Sequence, residues 1–265
     1  MTESKNKKAR FYLAKAKEAA TEASKILRDN FQTDAGIISA LNKDIKTKAD
    51  LAAEKIIINI LGETGLLILS EEKGIIQGTE KLVTPKDILR FEEPIWIVDP
   101  LDGTYNFVRQ IPVYSVSISL WVKGQPLIGV ISDIPNDNNY CGIVGEGATC
   151  NEKMIKVSEI SEITQSCLAT GFPTERNYDE NSLLKSVSYF KSFKKIRMIG
   201  SASLSLANVA CGNFDSYSEE GIKIWDVAAG LALVLAAGGK VNFTEINNNW
   251  QSNVCATNNL LPLYS

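Results

Sequence analysis

Between residues 9 and 29, Leu13, Ala16, Ala20, Ala23 and Leu27 recur at three- and four-residue spacing, with lysines and glutamates between them. That spacing lines one face of a helix. The stretch "KTKADLAAEKIIINIL" (residues 46–61) repeats the pattern, with Leu51, Ile57, Ile58 and Leu61 on a broad apolar face and Asp50 in the first turn. The pattern then changes. "LLILSEE" (66–72) is a short apolar run ending in two glutamates and predicts a strand. Residues 73–93, including "KLVTPKD", are polar and read as a surface loop. "PIWIV" (94–98) is the next strand, and "YSVSISLWV" (114–122) alternates like one. "LIGVISD" and "YCGIVG" follow as strands, separated by the turn signals "KGQP" and "PNDNN". Strands on such short connections predict an antiparallel meander.

In the second half, "CLATGFP" predicts a strand and a turn, and a polar helix covers residues 181–193. "IRMIGSASLSLANVACGNFDSY" reads as strand, turn, helix, strand. "WDVAAGLALVLAAGG" reads as a helix closed by glycines. Its run of Ala, Leu and Val over residues 227–237 is helix core. No repeat, low-complexity tract or linker interrupts the chain. Helices mixed with meandering strands predict an α+β fold, with sheets layered between helices. The expected organisation is one domain, residues 1–265, with an α+β half over 1–150 and an α/β half over 151–265.

Composition narrows the chemistry. Of 265 residues, 45% are apolar and 22% charged, which is ordinary for a globular protein with a real core. A net charge of −3 argues against binding a nucleic acid polymer. The charged N-terminus lacks the apolar core of a secretory signal, and "VAAGLALVLAAGG" is too short to span a membrane. Cys141, Cys150, Cys167, Cys211 and Cys255 are odd in number and scattered, which predicts reduced, mostly buried thiols and a cytoplasmic location. The chain contains no histidine. That excludes the Ser-His-Asp triad, a phosphohistidine and histidine-ligated metals. Carboxylates, hydroxyls or lysines must carry any chemistry, with a hard, oxygen-preferring metal as partner.

One stretch supplies such carboxylates. In "WIVDPLDGT", Asp99 is expected at the end of the strand, Pro100 ends its ladder, and Asp102 sits on the following turn. Gly103 allows close approach to the backbone, and Thr104 opens a short helix whose first amides suit phosphate. Alone, an aspartate pair after a strand is most often a turn and a cap. Its company changes the weighing: Glu71 and Glu72 also end a strand, and Asp226 in "IWDVAAG" also starts a helix. Asp50 taken alone reads as an acid favoured by a helix N-terminus. Trp96 and Trp225 read as core anchors beside the site.

"DPLDGTYNF", "LSEE" and "GIKIWDVAAGLALVLAAGG" resemble the inositol monophosphatase family of metal-dependent, lithium-sensitive phosphatases. "GEGATCNEKMIKVS", "TGFPTERN" and "MIGSASLSLANVACGNFD" fall in that family's order, so the likeness covers most of the chain. The resemblance implies a layered αβαβα sandwich of the sugar-phosphatase type, Mg²⁺ as cofactor and a homodimer. It implies that Glu71, Asp99, the Leu101 carbonyl, Asp102 and Asp226 bind metal. It makes Asp50, Thr104 and Glu71 the catalytic set, with Asp50 and the Thr104 hydroxyl acting on the attacking water. Asp102, the Gly103 and Thr104 amides, Ala202 and Glu219 would meet substrate. Glu219 adjoins Glu220, so its register is open. Glu72 is expected to be a secondary or surface acid.

The chain departs from the family at Ser70-Glu71-Glu72-Lys73, where Gly-Glu-Glu-Ser is usual, and its 73–93 segment is longer than typical. Serine at that first position also occurs in relatives that cleave 3′-phosphates from adenosine bisphosphates. "GTYNF" resembles the sugar-phosphatase branch instead, and "GSASLSLANVACGNFD" the inositol branch. The leading expectation is Mg²⁺-dependent hydrolysis of inositol monophosphate or a similar small polyol or sugar phosphate. Alternatives are a 3′(2′),5′-bisphosphate nucleotidase, a fructose-1,6-bisphosphatase, and an inactive sugar-phosphate-binding regulator.

Overall fold

The computed structural model describes residues 3–31, 37–41, 44–76, 84–173 and 178–263. Two helices, α1 (Glu3–Phe31) and α2 (Lys48–Gly62), form the first layer. A hairpin of β1 (Ile37–Leu41) and β2 (Asp44–Thr47) stands between them in sequence. The predicted start of α2 moves from residue 46 to Lys48. Thr47 accepts hydrogen bonds from the Ala49 and Asp50 amides, and Asp50 reaches back to the Thr47 N–H, closing a capping box.

The second layer is an eight-stranded sheet built from β3 (Leu67–Ser70), β4 (Gly74–Ile76), β5 (Ile95–Asp102), β6 (Ser115–Val122), β7 (Gln125–Asp133), β8 (Asn138–Ile143), β9 (Gly147–Cys150) and β10 (Lys153–Ile155). Its order is β10-β9-β8-β7-β6-β5-β3-β4. The predicted meander is β6 to β8. Strands β3 and β5 are parallel, with Ser70 opposite Val98. Parallel pairing carries the C-terminal ends of both strands to one edge, which brings Glu71 beside Asp99. Alternation along β5 sends Trp96 and Val98 toward α1 and α2, and Ile95 and Ile97 toward the other face.

On that other face lie α6 (Ala202–Ala210) and α7 (Ile224–Ala236). Helix α7 sits against the sheet because Gly129 on β7 has no side chain; a Cβ there would meet the Ala229 carbonyl oxygen at 2.3 Å. A second sheet covers these helices: β11 (Cys167–Ala169), β12 (Lys195–Arg197), β13 (Ser216–Lys223), β14 (Lys240–Phe243) and β15 (Gln251–Thr257), in the order β12-β11-β13-β15-β14. Outside it, α5 (Glu180–Phe190) lines a shallow cavity with Thr170 and Ser218. The five layers are the expected αβαβα sandwich.

Several boundaries differ from expectation. β1, β2, β14 and β15 are strands that apolar alternation does not announce. The 73–93 stretch is not all loop. It contains β4, paired with β3, and a short helix α3 (Pro85–Ile88); residues 77–83 lie outside the described residues. All five cysteines are free, but only Cys141 and Cys255 are fully buried. Among the described residues no helix is long and apolar enough to cross a membrane.

Candidate active site

The Glu71 N–H donates to the Val98 carbonyl at 3.2 Å, which fixes Glu71 next to Asp99 at the shared edge. Asp99 is buried, and its Oδ1 accepts the Leu101 N–H at 3.0 Å. This side-chain turn bends the strand. Pro100 does not end the ladder, contrary to expectation. The register shifts between Asp99 and Asp102, and pairing resumes at Asp102 opposite Ser115. Asp102 is therefore the last residue of β5 and not a turn residue. A bulge is where a proline can sit without costing a ladder bond, and it re-aims the side chains around it.

Gly103 follows with φ +88°, and a Cβ would meet the Val113 carbonyl oxygen at 2.8 Å. Both conformation and space demand glycine. We expect Gly103→Ala to cost about 1–3 kcal/mol, read as a lowered Tm in thermal denaturation; an unchanged Tm would contradict the strain. Helix α4 (Thr104–Val108) starts next, as predicted. The Thr104 hydroxyl lies 2.9 Å from the Leu101 carbonyl oxygen and 3.3 Å from Asp50 Oδ1. Asp50 thus serves both readings: it caps α2 and also faces Thr104 across 54 residues of sequence. Burial raises its carboxyl, and hydrogen bonds from Thr47 and Thr104 partly oppose that rise.

Asp226 enters from the first turn of α7, fully within the same electrostatic cluster. Burial, then the charges of Glu71, Asp102 and Asp226, push the Asp99 carboxyl well above the usual carboxylate range. Burial, then Glu71, Asp102 and Glu219, do the same to Asp226, with Lys223 opposing. Glu71 and Asp99 are close enough to share a hydrogen bond. Among the described residues, no three acidic or thiol side chains are drawn tightly round one point. The donors are nevertheless neighbouring and all oxygen, with Asp99 and Asp102 buried and Glu71 and Asp226 partly so. A divalent cation among them would offset both the burial and the mutual repulsion that disfavour their anions. That donor set fits Mg²⁺.

Three serines of this site escaped the sequence reading. Ser201 and Ser203 both donate their hydroxyls to Asp102 Oδ2, which also accepts the Ser203 N–H at 2.8 Å. The Ala202 amide contributes as well. Ser115 completes a chain, its hydroxyl 2.6 Å from that of Ser203. Because the Ser203 proton goes to the carboxylate, Ser115 is the donor to Ser203. The only signal in the sequence was "GSAS", of which Ala202 alone was singled out. Asn106, read only as a branch marker in "GTYNF", holds α4 to the loop before α6 through hydrogen bonds to the Val113 and Ile199 carbonyls, each 2.9 Å.

The register on β13 is now clear. Glu219 is buried and accepts the Tyr217 hydroxyl at 2.8 Å, whereas Glu220 is exposed. Glu72 is not a surface acid; it is partly buried and forms an ion pair with Lys46. Trp96 and Trp225 are core residues, on opposite faces of the large sheet.

Known proteins place this geometry. The sequence profile of the inositol monophosphatase family matches residues 9–260. Nus factor SuhB of Xylella fastidiosa (strain Temecula1) is 38% identical over 208 residues, covering 77% of this chain and 71% of its own length. Inositol monophosphatase 3 of Solanum lycopersicum is 38% identical over 241 residues, covering 87% of this chain and 85% of its own. The solved inositol monophosphatase of Anabaena (Nostoc) sp. PCC 7120 superimposes with a TM-score of 0.78 at 35% identity, over 94% of this chain and 91% of that one. SaIMPase-II has been solved with inositol monophosphate (TM-score 0.74) and with 2′AMP (TM-score 0.72); each is 25% identical and covers 94% of this chain and 89% of its own. With the layers shared with a solved relative and a family match running from residue 9 to residue 260, the chain belongs to the inositol monophosphatase family.

Proposed function

We propose that this chain hydrolyses a small phosphate monoester, with inositol monophosphate the leading substrate, using Mg²⁺ held by Glu71, Asp99, the Leu101 carbonyl, Asp102 and Asp226. The observation that carries the reading is the Asp50–Thr104 contact at the end of the strand whose Asp99 lies in one electrostatic cluster with Glu71, Asp102 and Asp226. When bound, the metal supplies charge neutralisation for phosphate and lowers the cost of forming a hydroxide nucleophile. The chain's own residues do the rest. The Thr104 hydroxyl and Asp50 orient the attacking water and accept its proton at Asp50 Oδ1. The Gly103 and Thr104 amides hold phosphate oxygens. Ala202 and Glu219 border the leaving group. No histidine and no covalent nucleophile are needed.

Four observations weigh the alternatives. SaIMPase-II accommodates both inositol monophosphate and 2′AMP, so a related pocket takes a polyol or a nucleotide. Ser70, the residue that suggested a nucleotidase, is fully buried and donates to Glu54 at 2.6 Å, which leaves it unsuited to touch substrate. Relatives named Nus factor SuhB favour a regulatory reading on the same fold. The connected set Asp50, Glu71, Asp99, Asp102, Thr104 and Asp226 favours catalysis. A phosphate-release screen over inositol, sugar and nucleotide phosphates with Mg²⁺ decides between them; no release from any would leave the regulatory reading.

Glu219→Gln separates leaving-group recognition from chemistry. A hydrogen bond to a charged acceptor is worth about 1.5–3 kcal/mol. We expect kcat/KM for inositol monophosphate to fall about 10- to 100-fold, and that for an aryl phosphate without hydroxyls to change far less. Equal losses on both substrates would assign Glu219 to the metal site or the fold.

A further inference from the structure

Glu54 is a buried acid that the proposed chemistry does not use. It lies on α2 one turn beyond Asp50 and is 0% exposed. A carboxylate buried to that degree requires partners. Both of its partners come from the turn that carries Glu71. Ser70, the last residue of β3, donates its hydroxyl to Glu54 Oε1 at 2.6 Å. Lys73 places its Nζ 3.2 Å from Glu54 Oε2. That second contact is an ion pair without hydrogen-bond alignment, because among the described residues Oε2 has no hydrogen-bonding partner. A hydrogen bond and a charge therefore grip the two sides of Glu71.

The turn itself is the short connection between β3 and β4, with Ser70 paired to Gly74. Its remaining acid, Glu72, is held by Lys46, which adjoins Thr47, the cap of α2. All of these contacts tie one turn to α2 and to β2, the strand that leads into it. The Ser70 hydroxyl and the Lys73 charge are both directed at the same acid.

We propose that Glu54 is a positioning residue that locks the turn bearing Glu71 to the helix bearing Asp50. The inference rests on the reading of Glu71 as a metal ligand and Asp50 as the acceptor of the water's proton. Those two groups come from different elements, so their separation depends on how β3 and α2 are joined. Glu54 sets that join from beneath.

The test is calorimetric titration of Mn²⁺ without substrate, alongside kcat and KM and the Tm of the metal-free protein. The variants are Glu54→Gln, Lys73→Met and the double variant. Residues that orient metal ligands typically change affinity about 10- to 100-fold when lost. Glu54→Gln keeps the volume and an acceptor for Ser70 but loses the charge. We expect its Mn²⁺ affinity and kcat to fall about 10-fold, with KM nearly unchanged. Lys73→Met should give part of that loss, and the double variant should be no worse than Glu54→Gln alone, because both remove one interaction. Wild-type Mn²⁺ affinity in Glu54→Gln, even with a lowered Tm, would overturn the proposal and make Glu54 structural only. If Glu54→Gln fails to fold, Lys73→Met decides by the same criterion, since its side chain is 49% exposed in the native protein. A wild-type protein that binds no Mn²⁺ would instead overturn the metal reading beneath it.

Discussion

Asp99→Asn should abolish turnover, by at least about 10³-fold or ~4 kcal/mol of transition-state stabilisation, while the protein stays folded. The substitution keeps the side-chain volume and an oxygen that can accept the Leu101 N–H, so the bulge between Asp99 and Asp102 survives. What it removes is a charge at the centre of the acidic edge. Burial and the neighbouring Glu71, Asp102 and Asp226 already disfavour that charge in the metal-free protein. The metal-free variant should therefore melt no lower than wild type, and its Tm should respond less to Mg²⁺. Loss of activity together with loss of fold would be uninformative for most buried residues; here the physics predicts that the two separate. Glu72→Gln is the matched comparison. Glu72 pairs with Lys46 and should retain most of the turnover. Near wild-type activity in Asp99→Asn would show that the acidic edge is not the metal site.

Exhaustive chelation should reduce turnover to background, and millimolar Mg²⁺ should restore it. The ligands are carboxylates and a carbonyl, hard donors that suit Mg²⁺ with several waters retained. The same ion should stabilise the fold. A ligand present at 100 times its Kd adds ~2.7 kcal/mol, and in a chain of this length each kcal/mol shifts Tm by roughly 2–4 °C. A melting series with rising Mg²⁺ should thus show a clear upward shift, absent or much reduced in Asp99→Asn. Full turnover after chelation, or a Tm indifferent to Mg²⁺, would contradict the assignment. The resemblance to a lithium-sensitive family adds the expectation that Li⁺ inhibits.

The turn that carries Asp99 and Asp102 was legible because its parts are local. The "DPLDGT" stretch contains its own bulge, side-chain turn, glycine and helix start, all within a few residues. The apolar face of α2 is equally local, which is why Asp50 could be placed in a first turn; its capping box with Thr47 was seen only in the structure. What was misread was also local but ambiguous. Pro100 signals the end of a ladder in most strands, and here it marks a shift of register. Strands β1 and β2 form a separate two-stranded hairpin and β14 is an edge strand, so no alternation marks them; β15 is paired on both sides and buried along nearly its whole length, with polar residues among its covered positions, so it shows no alternation either.

By itself the sequence determined the helices and the meander, since each follows from spacing within one element; the set of acids came from the resemblance to the family. The tertiary structure alone decided which groups meet. Ser201 and Ser203 reach Asp102 across 99 and 101 residues, and Ser115 reaches Ser203 across 88. The parallel pairing of β3 with β5 puts Glu71 beside Asp99, and the pairing of β13 with β15 goes with a buried Glu219 and an exposed Glu220. The physical reason is that periodicity records only whether a side chain is covered. What covers it is set by how the layers stack, and a buried serine or glutamate carries no mark in the sequence of the partner that satisfies it.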